Sequence, residues 1–155
     1  MKNVSFVAAG LVIVTLGLAV IGSGSDANTR AVTYLPADQV GAAFAKGMPL
    51  VEIENYKVHA SRREAPGQVE VHTKDTDIIH VLTGTATFIT GGTMVGAKST
   101  GPEEVRGVSV QGGETRQLQP GDVIIVPNGT PHWFKEVPGP MTYYVVKVRA
   151  AGDPQ

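Results

Sequence analysis

Gly121-Asp122-Val123-Ile124-Ile125-Val126-Pro127-Asn128-Gly129-Thr130-Pro131-His132-Trp133-Phe134-Lys135-Glu136 is the stretch whose reading decides the fold of this chain. Gly121-Asp122 is a turn signal and residues 123–126 form a β-branched run. Pro127-Asn128-Gly129 is a second turn that aims the chain into a new strand near His132. One histidine is thus set at the start of a strand, just past a rigid turn.

Upstream, the same grammar of short strands and tight turns continues. In residues 54–63, Tyr56, Val58 and Ala60 alternate with Lys57, His59, Ser61 and Arg63, which gives a strand with one apolar and one polar face. Pro66-Gly67 turns the chain. Residues 68–73 carry Val69 and Val71 on one face and Glu70 and His72 on the other. Strands are expected at 77–82 and 85–90, joined through Thr83-Gly84, with Gly91-Gly92 as another turn. The stretch between Gly92 and Gly113 reads as a long loop with one strand at 105–110. It is expected either to border a binding site or to act as a dimer-contact flap. Strands at 115–118, 123–126, 132–137 and 141–148 complete the count. The one helix expected lies in residues 36–47, where Pro36 suits the first turn, Val40, Ala43 and Phe44 make one face, and Gly47 ends it. That helix should pack on the outside of a sheet.

At 155 residues the chain is long enough for one domain with its own core. A net charge of −1 and the lack of a basic stripe exclude nucleic acid as a partner. Met1-Lys2-Asn3, an apolar run over 4–21, and Gly22-Ser23-Gly24-Ser25-Asp26-Ala27 have the form of a signal peptide, with Ser25 and Ala27 offering a small-residue cleavage site. The apolar run is close to the roughly 20 residues that span a bilayer, so an uncleaved anchor is the alternative. Either form puts the soluble part outside the cytoplasm, periplasmic or secreted, or anchored and facing outward, with the membrane engaged only through this segment. There is no cysteine, so neither a disulfide nor a lipidated cysteine can contribute. The organisation expected is 1–27 signal peptide or anchor, 28–49 lead-in and short helix, 50–150 β-barrel and 151–155 tail.

The spacing Gly121, Pro127, Gly129, His132 resembles the second signature of the cupin superfamily, with Glu136 where the closing Asn usually stands. An altered first signature lies upstream: Gly67, then Glu70-Val71-His72, Asp77 and Gly84, with Glu70 in place of the first His and Asp77 in place of the Glu. The resemblance spans residues 67–148. It implies an all-β fold, a cupin double-stranded β-helix or jelly-roll barrel, here with a short N-terminal helix. It also implies pairing into homodimers.

By the same resemblance, Glu70, His72, Asp77 and His132 converge in the lumen as metal ligands, with His72 and His132 foremost and Asp77 last. Two imidazoles with one or two carboxylates suit a divalent transition metal such as Fe, Mn, Zn or Ni, and leave positions open for a small molecule. No organic cofactor is expected. Glu70 and Tyr144 are the candidate catalytic groups, with Tyr56 a further tyrosine that could serve as acid or base. Glu136 is a candidate acceptor for the His132 ring N–H, opposite the simpler reading of a surface ion pair. Either Trp133 or Phe134 should wall the site. His80 falls on the opposite strand face by simple alternation, and His59 is expected to face solvent. No Gly-x-Ser-x-Gly elbow, phosphate loop or cysteine nucleophile is present. The expected activity is a mononuclear metal enzyme of dioxygenase, isomerase or lyase type acting on a small oxygen-bearing molecule. The rivals are a non-catalytic binding or sensing module and a ligand-free scaffold.

Overall fold

The structure, a computed structural model, describes residues 32–149. The leading segment read as a signal peptide or anchor, and the tail 151–155, lie outside the described residues. Among the described residues no helix is long and apolar enough to cross a membrane.

The helix forms where expected, as α1 (Ala37–Lys46). Pro36 is its N-cap, one position earlier than the first turn, and Asp38 and Lys46 sit at the ends that suit their charges. Gly47 stops it at φ 65°, a left-handed conformation open to glycine, and its N–H donates to the Ala43 carbonyl. The face predicted from Val40, Ala43 and Phe44 packs on a sheet: Ala43 is buried and Phe44 meets Tyr144 edge-on at 4.8 Å.

The strands are β1 (Met48–Glu52), β2 (Tyr56–Arg63), β3 (Val69–His72), β4 (Asp75–Thr83), β5 (Ala86–Thr90), β6 (Thr93–Val95), β7 (Lys98–Gly101), β8 (Glu104–Gly107), β9 (Ser109–Gln111), β10 (Glu114–Leu118), β11 (Val123–Val126), β12 (His132–Glu136) and β13 (Met141–Arg149). They build a five-stranded sheet, β1-β2-β13-β4-β11, and a six-stranded sheet, β10-β5-β12-β3-β8-β7, with β6 and β9 as a separate pair. All pairings are antiparallel, and the sequence-distant neighbours β13 beside β4 and β12 beside β3 are the crossovers of a double-stranded β-helix.

One expectation is corrected. The hydrogen-bonded order does not run from one large sheet into the other, so the body is a jelly-roll sandwich of two open sheets and not a closed barrel. What joins the sheets is side-chain burial. Ile79, Val81, Met141, Tyr143 and Val145 from one sheet pack with Ala86, Phe88, Leu118 and Phe134 from the other. Phe88 and Phe134 have ring centroids 4.6 Å apart, and Phe134 stacks on Tyr143 at 5.2 Å. The Arg63 guanidinium lies over Phe134 at 4.5 Å from its centroid.

The region 92–113 is also corrected. In place of a loop with one strand it holds four short strands, which together make one bent hairpin. Partners keep a single register from Thr93↔Gln111 to Lys98↔Arg106, and the bend falls at Gly96, whose φ is 66°. Beyond the bend, β8 pairs with β3 and so extends the sheet that carries Glu70 and His72. The expected strand at 105–110 falls on β8 and β9, while β7 carries no apolar side chain and β6 is three residues long, so alternation gave no sign of those two. Backbone pairing makes them: β8 with β3, β7 with β8, and β6 with β9.

The inward faces change chemistry at one level. Along β4 the buried positions run Asp75, Asp77, Ile79, Val81, and along β13 they run Met141, Tyr143, Val145 before reaching Lys147 and Arg149. In β12 the step is from His132 to Phe134, and in β5 from Phe88 to Thr90. Half of the interior is therefore packed apolar core, and the other half is a cluster of ionisable groups.

Candidate metal centre

Glu70 and His72 lie two apart in β3 and share its inner face, as alternation requires. His132 opens β12 directly opposite Glu70 in register. The turn before it is docked on the other signature: the Gly129 N–H donates to the His72 carbonyl at 2.8 Å, and the Asn128 side-chain amide donates to the Thr73 carbonyl at 3.2 Å. Two segments far apart in sequence are thus clamped together backbone to backbone.

The result is a compact donor set. One ligand atom each from Glu70, His72 and His132 lies within 4.8 Å of the other two. The two imidazole rings have centroids 5.2 Å apart. His132 is 4% exposed and its Nδ1 lies 3.2 Å from the Thr130 carbonyl, so the tautomer that donates there leaves the Nε2 lone pair free to face the site. Burial holds the His132 imidazole below its ordinary value of 6.5, against the opposing pull of the Thr130 carbonyl and of Asp77. A neutral, oriented imidazole is the form a metal requires. Two imidazoles and a carboxylate, with the His132 tautomer already set, fit a divalent transition metal.

Asp77 lies beside this set without completing it. Its Oδ2 is 3.5 Å from His72 Nε2 and 3.9 Å from His132 Nε2, but both of its oxygens also accept from Lys147 Nζ at 2.8 Å. Glu70 has its own cationic neighbour, Arg106 on β8, at 3.4 Å. A second network surrounds Asp75, which accepts from Lys57 at 3.1 Å and from Arg149 at 3.2 Å, while Arg149 also reaches Glu103. Burial works to raise the Asp75 carboxyl, but the Lys57 and Arg149 cations outweigh it and the net direction is downward. A cleft of about 290 Å³ opens beside His72, walled by Lys147, Lys57, His59, Asp75 and Glu103.

Several sequence expectations land elsewhere. Tyr144 is on the opposite face of β13 from Lys147, against Phe44 of α1, and so does not join Glu70 and the histidines. Tyr56 is 41% exposed. Glu136 accepts from the Thr87 hydroxyl at 2.8 Å, and the acceptor beside the His132 ring is Thr130, because a register shift between Phe134 and Glu136 takes the carboxylate out of line. Trp133 points away from His132 and donates to the Gly67 carbonyl at 2.8 Å, while Phe134 shares the inner face and, with Phe88, floors the site. His80 is exposed, as alternation requires. His59, expected to face solvent, lines the cleft with His72 and pairs with Glu52 at 2.8 Å. Alternation missed Lys57, Asp75, Arg106, Lys147 and Arg149. The available signal was a Lys and an Arg ending the otherwise apolar inner face of the last strand.

The acid response of the metal-free protein follows from two of these groups. His132 and Asp75 both have lowered values in the fold, so each takes up a proton more readily when unfolded. The stability each contributes is present above its ordinary value, 6.5 and 3.8, and is lost as pH falls towards the lowered one. The Tm at fixed ionic strength should therefore decline from pH 7 downward and decline again below about pH 4, near the ordinary Asp value. A Tm that stays level across that range would contradict this.

An interior with two facing antiparallel sheets, a β3–β12 crossover and a histidine-carboxylate cluster at one end defines a cupin-type double-stranded β-helix. The chain belongs to the cupin family: the family model described as Cupin matches residues 28–153. Among solved structures it is similar to a cupin protein from Bacteroides fragilis, at 14% identity and a TM-score of 0.51, with 81% of this chain and 88% of that one covered. It is also similar to a Bacillus halodurans protein at 12% identity and a TM-score of 0.55, covering 81% of this chain and 87% of that one. At such identities the likeness concerns the fold. No curated protein matches this chain.

Proposed function

We propose that this protein is an exported cupin in which Glu70, His72 and His132 hold one divalent transition metal, and that it is a mononuclear metal enzyme of dioxygenase, isomerase or lyase type acting on a small oxygen-bearing molecule. The observation that carries this reading is the convergence of the three donor atoms within 4.8 Å beside an open cleft. A metal bound there would supply Lewis acidity or oxygen activation. Three protein ligands leave coordination positions for a substrate.

The chain's own residues have separable tasks. His132 is oriented through Thr130, and Phe88 and Phe134 close the apolar side against water. Lys57, Lys147 and His59 line the approach, where charged walls suit a polar ligand better than an apolar one. Glu70, with one oxygen near Arg106, is the group placed to hold or move a proton next to the ligand. Export is supported by the leading apolar segment with its small-residue cleavage site. Pairing of two copies is supported by β11, an edge strand whose Val123 and Ile125 are exposed.

The test is elemental analysis of protein purified without chelator, followed by incubation of the loaded protein with metabolite pools, aerobic and anaerobic, read by mass spectrometry. About one metal per chain and consumption of a compound are expected. Trace metal after reconstitution would end the reading. Thermal stabilisation by a compound that is not consumed would replace the enzyme by a binding or sensing module.

A further inference from the structure

We propose that Lys147 keeps Asp77 out of the metal's coordination sphere, so that the centre has three protein ligands and not four. This rests on the metal reading above and adds a positioning residue to it. Asp77 is close enough to share an ion with both imidazoles, with its Oδ2 at 3.5 and 3.9 Å from their Nε2 atoms. Glu70, His72 and His132 bring their donors mutually within 4.8 Å, and Asp77 is as near to the imidazoles as Glu70 is to His72.

The difference lies in Lys147. Its ammonium donates to both Asp77 oxygens at 2.8 Å, and the two side chains are 15% and 6% exposed. Lys147 and Asp77 are direct register partners on neighbouring strands, so the pair is set by the β13–β4 ladder and cannot drift apart while the sheet holds. A carboxylate that gives lone pairs to an ammonium is a poorer metal donor, and the ammonium's charge opposes a dication at the same carboxylate. Val145, the preceding residue on that face, is buried and apolar. A further apolar side chain at 147 would leave Asp77 unpaired beside the site. With Lys147 in place, Asp77 neutralises the ammonium, and the positions it does not fill stay open towards the cleft that Lys147 itself lines.

Cobalt(II) titrated into the chelator-stripped full chain tests this, with the visible band shape and the dissociation constant as readouts. The proteins are wild type, Asp77→Asn, Lys147→Met and the double variant. Wild type and Asp77→Asn should give the same band shape. Lys147→Met should bind about tenfold more tightly, with a weaker, shifted band as Asp77 joins the ion, and the double variant should lose both changes. A band shape altered by Asp77→Asn alone would overturn the proposal, because Asp77 would already be a ligand. So would a gain in affinity that survives in the double variant, since Lys147 would then only repel the metal. If Lys147→Met does not fold, Asp77→Asn decides alone: an unchanged shape supports the proposal and a changed one overturns it. Cobalt bound normally by wild type with an unaltered Lys147→Met spectrum defeats only this inference. A wild type that binds no cobalt defeats the metal reading and this inference together.

Discussion

Phe88→Ala is expected to destabilise the protein by about 3–5 kcal/mol, as loss of a fully buried aromatic ring does when the cavity cannot collapse. Phe88 is 0% exposed and touches both functions of the interior. Its ring meets Phe134 at 4.6 Å, within the cluster that joins the two sheets, and lies 6.1 Å from the His132 ring at the foot of the candidate metal centre. Phe88 is held between register partners on both sides, Phe134 of β12 and Arg116 of β10, so its surroundings have little freedom to close over the gap. Urea unfolding should show a lower midpoint with an unchanged slope. A loss below about 1 kcal/mol, the range of ordinary substitutions, would mean that the sheets are not held together at this point.

His132→Ala should bring the largest functional loss, a fall in metal affinity of more than about 100-fold, beyond what losing an outer partner alone costs. His132 is the most buried of the three donors and the one whose tautomer is set by a backbone carbonyl. Its removal also leaves Glu70 and His72, both on the inner face of one strand, without the donor that faces them from β12. His80→Ala is the matched control, since that ring is exposed on the outward face of β4 and should leave affinity unchanged. Competition with a chromophoric chelator reads both. Equal affinities for His132→Ala and His80→Ala would remove His132 from the centre.

Much of the fold was legible because it depends on local rules. Residues 121–136 carry two turns and a β-branched run whose chemistry admits little else, and β11 and β12 form where those signals put them. Glu70 and His72 could be placed on one face because strand alternation has a fixed period. Of the bent hairpin of 93–111 only the second half was legible, as a strand at 105–110. Its first half includes Lys98, Ser99 and Thr100, which make a strand only when β8, itself laid on β3, offers a ladder.

The sequence alone determined the two signature turns, the faces of the strands between them and the types of donor that those faces carry, since these follow from backbone preferences within a few residues. Only the tertiary structure decided that Asp77 belongs to Lys147, that Thr130 and not Glu136 lies beside the His132 ring, and that Tyr144 packs under a helix. Those outcomes depend on which strands become neighbours and in what register. Register is a property of the assembled sheet, where one residue of slip moves every side chain to the other face.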